Sequence, residues 1–216
     1  MRTAEKTTRT SNQQKFQTKN VLAQGAIRRF FRTVSELVEP LAPDNVLDAG
    51  CGEGEDIARL IHALPDQVEG FDIDERCVKL ASHRFPDARF RVDDICRSSY
   101  ETGRFDLVLA LEVLEHLEEP DVALCELSRI TRRDIIVSVP NEPWFRVSNF
   151  LGGAFVSTWG NPPDHCQHWN HATFREFLER CVDVVELRSS FPWLIARCVP
   201  RNGTAPGTKP GPTPAR

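Results

Sequence analysis

Residues 46–56 read VLDAGCGEGED. A short apolar run, Val46 to Leu47, meets a cluster of three glycines, Gly50, Gly52 and Gly54. Such a run ending in glycines predicts a buried strand that turns at once into a helix. A glycine turn of this kind usually receives a phosphate at the helix N-terminus. Here the turn carries carboxylates instead: Asp48 before it, Glu53 within it, and Glu55 and Asp56 after it. A pyrophosphate would meet like charge at short range, each contact costing on the order of 1 kcal/mol even when well screened. The spacing is also G-x-G-x-G, with Glu55 standing where the dinucleotide fingerprint has its third glycine. The loop therefore calls for a nucleoside without phosphate, and favours one that carries positive charge.

Outward from the loop, apolar runs and amphipathic stretches alternate. A helix is expected from near Asn20 to Val38, with Ile27, Phe30, Phe31, Val34 and Val38 as its buried stripe. Strands are expected at 45–50, 68–73, 88–94, 105–111 and 134–139. Between them, Ile57, Leu60, Ile61 and Leu64 mark one helix, and Val78, Ala81 and Phe85 another that Asp74 caps. Pro120 opens a third, running to about Ile130. Phe174, Phe177, Leu178 and Cys181 give a last amphipathic helix. The strands at 183–189 and 193–199 are too close for a crossover and must form an antiparallel hairpin. The expected fold is α/β: a Rossmann-like, doubly wound, mostly parallel seven-stranded sheet whose C-terminal hairpin adds an antiparallel edge.

One domain, 19–200, fits the length of 216 residues. Residues 1–18 read as a flexible basic arm, and the Pro-, Gly- and Thr-rich 201–216 as a disordered tail. The stretch 141–171 is long for a plain connection. It carries Trp144, Phe145, Phe150, Phe155, Trp159 and Trp169, with Gly152-Gly153 as a hinge, and suits an apolar or aromatic acceptor. The net charge of −4 argues against a dedicated nucleic-acid binder. No apolar run is long enough to span a bilayer and no leader pattern stands at the N-terminus, so a cytoplasmic setting is expected. The seven cysteines are odd in number and widely spaced, and are expected as reduced core thiols.

In an open parallel sheet a ligand sits at the carboxyl ends of the strands. The glycine loop lies there, and so does Asp72, placed where a ribose acid belongs. S-adenosylmethionine meets the requirement: an adenosine, a sulfonium and an ammonium, with no phosphate. At this point the chain resembles a known family. VLDAGCGEG, GFDID (70–74), VDDI (92–95) and FDLVLALEVLEHL (105–117) are similar to the motif series of class I S-adenosylmethionine-dependent methyltransferases, in the branch of the ubiquinone- and menaquinone-biosynthesis enzymes. The resemblance implies that Asp48, Gly50 and Gly52 line the methionine end of the cofactor. It implies that Asp72 takes the ribose hydroxyls, with Ile73 beside the adenine. Asp94 would receive the adenine amino group (Asp93 standing next to it as the alternative), with Ile95 adjacent. Leu111, after the fourth strand, would face the cofactor. Glu53, Glu55 and Asp56 are read as surface acids that match the helix dipole.

For chemistry, the candidates are Glu112, Glu115 and His116, which a helix would place on one face, together with His165. Two roles are open. His116 or His165 acts as a general base, or the four side chains hold a divalent cation of the magnesium, manganese or iron type. The second pattern resembles the small-RNA 3′-end 2′-O-methyltransferases, which share E-x-x-E-H, a Pro-Asn step (Pro140-Asn141) and D-H-x-x-x-W (Asp164, His165, Trp169). His168, His171, His62 and His83 are read as bland. The leading expectation is methyl transfer to a small-molecule hydroxyl. The alternatives are an RNA 2′-O-methyltransferase, to which the basic arm with Arg28, Arg29 and Arg32 points, and a non-catalytic cofactor-binding partner. An NAD-dependent reductase is disfavoured by the acids.

Overall fold

The computed structural model describes residues 20–146 and 166–201. The expected arm, the expected tail beyond Arg201, and most of the aromatic stretch including Phe150, Phe155 and Trp159 lie outside the described residues, as does His165. The sheet has seven strands in the order β3-β2-β1-β4-β5-β7-β6. They are β1 Val46–Ala49, β2 Val68–Asp72, β3 Arg89–Val92, β4 Phe105–Leu111, β5 Thr131–Pro140, β6 Val182–Ser190 and β7 Trp193–Pro200. The first five are mutually parallel. β7 slots between β5 and β6 and runs antiparallel to both. The hairpin forms as expected, and its second strand becomes the inner one.

Burial explains the order. Every residue of FDLVLAL in β4 is buried, so β4 takes the centre. RFRV in β3 is mostly exposed, and its arginines suit the sheet edge. Helices α1 (Val21–Val38), α2 (Glu55–Leu60), α3 (Glu75–Arg84), α4 (Pro120–Ile130) and α5 (His171–Leu178) cover the sheet. Asn20 caps α1 by accepting from Leu22 and Ala23 N–H, and the expected stripe is buried, joined by Leu37. Asp74 caps α3 through Arg76 N–H.

One core packs α1 and Leu60 against Val46, Leu107, Leu109 and Ile195. The opposite core packs α4 and α5 against Leu47, Val108 and Val137.

Two expectations need correction. The second helix stops at Leu60, and Ile61 is left 49% exposed; one turn suffices to reach the core through Ile57 and Leu60. The cysteines are not all free thiols either. Cys125 of α4 is disulfide-bonded to Cys181, just beyond α5, because the two elements lie side by side with Cα atoms 5.1 Å apart. Cys51, Cys77, Cys96, Cys166 and Cys198 remain free.

Candidate active site

After Ala49 the chain turns through Gly50, Gly52 and Gly54 at φ of 79°, 50° and 74°. The N–H groups of Gly50 and Cys51 both donate to the Phe71 carbonyl, at 2.9 Å each, which fastens the loop to β2. Gly52 N–H donates to Asp72 Oδ2 at 2.9 Å, and Asp74 N–H donates to Asp72 Oδ1 at 2.9 Å. The acid expected for the ribose thus also braces the glycine loop. A Cβ on Gly50 would stand 2.7 Å from Val113 Cγ2, so the chain leaving β4 presses directly against the loop. That close approach brings the cofactor motif and the candidate catalytic turn together.

Asp48 is 1% exposed, and neither of its oxygens has a hydrogen-bond partner among the described residues. Burial, and then the charges of Asp56 and Asp72, push its carboxyl well above the ordinary carboxylate range. Glu53 and Asp56 are not surface acids: both are buried at 8% exposure. Glu53 is buried in the loop and Asp56 in the first turn of α2, a placement that charge patterning does not reveal. Glu55 is the acid that remains half-exposed, bonded to Arg59 at 2.8 Å and Arg84 at 2.9 Å. The Cys51 thiol is pushed far up, by burial first and then by Asp48.

Ile73 is 73% exposed beside Asp72, an apolar surface at the strand end on which a flat base can rest. Of the two neighbouring acids, Asp93 is engaged: its Oδ2 accepts from Ser99 N–H at 3.0 Å and Ser99 Oγ at 2.7 Å, and its Oδ1 from Asp94 N–H. Burial opposes ionisation there, yet these donors hold the Asp93 carboxyl below its ordinary value. Asp94 is exposed and accepts from Cys96 N–H at 2.8 Å. Ile95 and Leu111 are buried, Ile95 in the α4-side core and Leu111 in the α1-side core as the last residue of β4.

The turn after β4 is not an α-helix. Leu114–His116 is a single 3₁₀ turn, and Glu112 takes a φ of 59°, unusual for a residue with a side chain. Two neighbouring strands, β5 and β7, hold it there. Ser138 Oγ accepts from Glu112 N–H and donates to Glu112 Oε1, both at 3.0 Å, and the Trp193 indole N–H donates to Glu112 Oε2 at 2.6 Å. Glu115 is 0% exposed, and its carbonyl accepts from Cys166 N–H at 2.8 Å and Gln167 N–H at 3.1 Å. His116 Nε2 lies 3.9 Å from Glu115 Oε1, at ion-pair rather than hydrogen-bond range, with its side chain 36% exposed. Among the described residues no group of three or more His, Cys, Asp and Glu side chains is arranged to hold a metal ion. Exposed His168 and His171 flank Trp169, outside this turn.

Aromatic side chains border the same end of the sheet. Trp193 is buried against Phe30 at 5.2 Å and Phe145 at 6.2 Å. Trp144 and Phe191 are 54% and 52% exposed. Trp169 packs inward on Phe177 at 5.0 Å. A cavity of about 260 Å³, lined by Asn45, Asp66, Arg89 and Arg104 among others, opens at the opposite, amino ends of the strands, away from the glycine loop. Sequence reasoning missed Ser138 and Trp193; neither belongs to a motif, and only strand pairing brings them to Glu112.

Residues 47–138 match the family model of the methyltransferase domain. The chain carries an S-adenosylmethionine-dependent methyltransferase domain. A ubiquinone biosynthesis O-methyltransferase of Bradyrhizobium diazoefficiens is 30% identical over 151 residues, 67% of this chain and 58% of that protein. An uncharacterized methyltransferase of Mycobacterium tuberculosis is 37% identical over 90 residues, 41% of this chain and 45% of that one. The chain thus spans about half the length of the curated relatives it matches. In fold, the methyltransferase domain is similar to the crystal structure of magnesium protoporphyrin IX methyltransferase from Synechocystis with bound SAH: TM-score 0.64, 21% identity, covering 85% of this chain and 89% of that one. A TehB-like methyltransferase of Corynebacterium glutamicum follows at TM-score 0.56 and 20% identity, covering 84% of this chain and 100% of that one.

Proposed function

We propose that this protein transfers a methyl group from S-adenosylmethionine to a small molecule, at a hydroxyl of an aromatic or apolar metabolite. The observation that carries the cofactor half is Asp48, a buried carboxyl group without a hydrogen-bond partner among the described residues, at the foot of a glycine loop that Asp72 braces. That arrangement fits a cation and repels a phosphate. Asp72, Ile73 and Asp94 are the groups for ribose and adenine, with Ile95 and Leu111 behind them. Gly50 and Gly52 let the backbone come close. When bound, the cofactor supplies a methyl group already activated by its sulfonium.

The acceptor half rests on the aromatic border and the post-β4 turn. Exposed Trp144 and Phe191 offer flat apolar surface. Glu112, fixed by Ser138 and Trp193, orients a donor group of the acceptor. His116, backed by the buried Glu115, takes the proton from the hydroxyl. His165, in the alternative metal reading, joins Glu112, Glu115 and His116. The Bradyrhizobium relative named as an O-methyltransferase supports the choice of oxygen. Exposed Arg28, Arg29 and Arg32 on α1 favour the RNA reading instead, and RNA binding that falls steeply with salt would be its mark. No helix among the described residues is long and apolar enough to cross a membrane.

The test is a calorimetric titration of S-adenosylhomocysteine into the wild type, Asp72→Ala and Asp72→Asn, with NADH as control. Tight binding that both variants weaken at least tenfold, about 1.4 kcal/mol, supports the cofactor assignment; NADH binding defeats it. Transfer of labelled methyl to catechol and phenol pools, with and without chelator, then tests the acceptor and the metal.

A further inference from the structure

Asp48 is the third residue of β1, so its side chain shares a face with Val46, the face that α1 and α2 cover. It pairs in register with Gly70 on one side and Leu109 on the other. No donor from these neighbours reaches it. Among the described residues the titratable groups acting on it are Asp56 from α2, Asp72 from the end of β2 and the Cys51 thiol from the loop, none of them a cation. Arg59, the cation of α2, is bonded to Glu55 and lies 5.2 Å from the Phe31 ring centroid. An ionised carboxylate out of water with neither donor nor counter-ion is costly by several kcal/mol even after relaxation. Retaining a proton avoids that cost.

We propose that Asp48 holds a proton in the ligand-free protein and releases it when the cationic methionine end of S-adenosylmethionine enters, which makes cofactor binding proton-linked and makes Asp48 a group that favours the methyl donor over the demethylated product. The inference rests on the cofactor assignment above. The bond that breaks is the carboxyl O–H; its proton passes to the bulk buffer, and the carboxylate stays opposite the incoming positive charge. Both ligands carry an ammonium and a carboxylate; the donor adds a sulfonium and so a net positive charge, which the product lacks. The counter-charge that keeps Asp48 ionised is therefore weakened after transfer, and the acid regains its proton as the product leaves. Burial by itself, and the raised carboxyl it entails, agree with this direction.

The experiment is calorimetric titration of the full chain with S-adenosylmethionine and, separately, with S-adenosylhomocysteine, in buffers of differing ionisation enthalpy, from about pH 5.5 to about pH 8.5. The wild type is expected to give heats that depend on the buffer. Release should approach about one proton per donor molecule at the acid end and fade toward the alkaline end, with less release for the product. Asp48→Asn should abolish the buffer dependence and bring the two affinities closer together. Asp56→Asn removes one repelling charge and should move the release to lower pH, a readout that stands even if Asp48→Asn does not fold. Heats independent of buffer in the wild type, or proton release unchanged in Asp48→Asn, overturn the proposal while leaving the cofactor assignment intact. Failure of the wild type to bind either ligand overturns both.

Discussion

Alanine at Gly50 tests how the loop and the post-β4 turn are joined. Two separable costs arise. The backbone at Gly50 has φ of 79°, where an L side chain costs about 1–2 kcal/mol. The added Cβ would lie 2.7 Å from Val113 Cγ2 and 3.0 Å from Val113 Cγ1. Valine is stiff at χ1 and cannot swing away, so the overlap costs about 1–3 kcal/mol as overpacking. Gly50→Ala should therefore lose about 2–5 kcal/mol in urea unfolding, a large share of a typical domain's total. Val113→Ala alone should lose about 1–2 kcal/mol, from two methyl groups on a half-buried side chain. In the double variant the overlap vanishes and the φ cost remains, so the cycle should show a favourable coupling of about 1–3 kcal/mol. Additivity within about 0.5 kcal/mol would refute the contact argument. A Gly50→Ala loss below about 1 kcal/mol would refute the backbone argument.

Three more expectations follow from named contacts. Reducing the Cys125–Cys181 bond opens a loop with sequence separation 56, and chain entropy predicts a loss of about 4 kcal/mol, read as a lower unfolding midpoint in dithiothreitol than in its absence; an unchanged midpoint would count against the bridge. Asp48 has a folded-state carboxyl raised above its unfolded value, so its contribution to stability is fullest below the ordinary carboxylate range and is lost as pH rises through the folded value. Asp48→Asn should accordingly raise the melting temperature of the ligand-free protein at neutral pH and flatten its pH dependence; a lower melting temperature there would contradict the burial argument. Trp193→Phe keeps an aromatic side chain but replaces the indole with a smaller phenyl and deletes the N–H that reaches Glu112 at 2.6 Å, and should lower stability by about 1.5–3 kcal/mol or more in urea unfolding, while Ser138→Ala with Trp193→Phe should be non-additive.

The sheet was legible because its signals are local. FDLVLAL is wholly buried where it reads as apolar in all but Asp106, the stripe of α1 is buried where the 3.6 period puts it, and a two-residue gap between 190 and 193 forces a hairpin. Asp72, the acid proposed for the ribose, lies one strand beyond the glycine loop, and the structure has it accept from the loop's Gly52 N–H. What local pattern could not give was set across long separations. Glu112, Glu115 and His116 have helical spacing, yet Glu112 is pinned by Ser138 and Trp193, 26 and 81 residues away, and the helix does not form. Glu53 and Asp56 read as surface acids because a charged residue at a helix start usually is one. Their burial depends on how the loop packs, which no spacing rule encodes. The disulfide depends likewise on α4 lying beside the end of α5.

The two halves of the site are built from different kinds of sequence. The proposed cofactor half draws Asp48, Gly50, Gly52, Asp72 and Asp94 from one continuous stretch of strands and the loops that follow them. The aromatic border of the proposed acceptor half gathers Phe30 from α1, Trp144 and Phe145 from the chain leaving β5, and Phe191 and Trp193 from the hairpin. All of these lie outside residues 47–138, where the family match holds. The family match therefore bears on the proposed cofactor groups, while the aromatic border proposed for the acceptor comes from segments on either side of it. Glu112 is the joint between the halves. It follows the last residue of β4, next to the Val113 that presses on the glycine loop, and its carboxylate is bonded to the tryptophan that carries the aromatic border. A substitution at Glu112 should thus disturb acceptor placement more than cofactor affinity, whereas one at Asp72 should do the reverse.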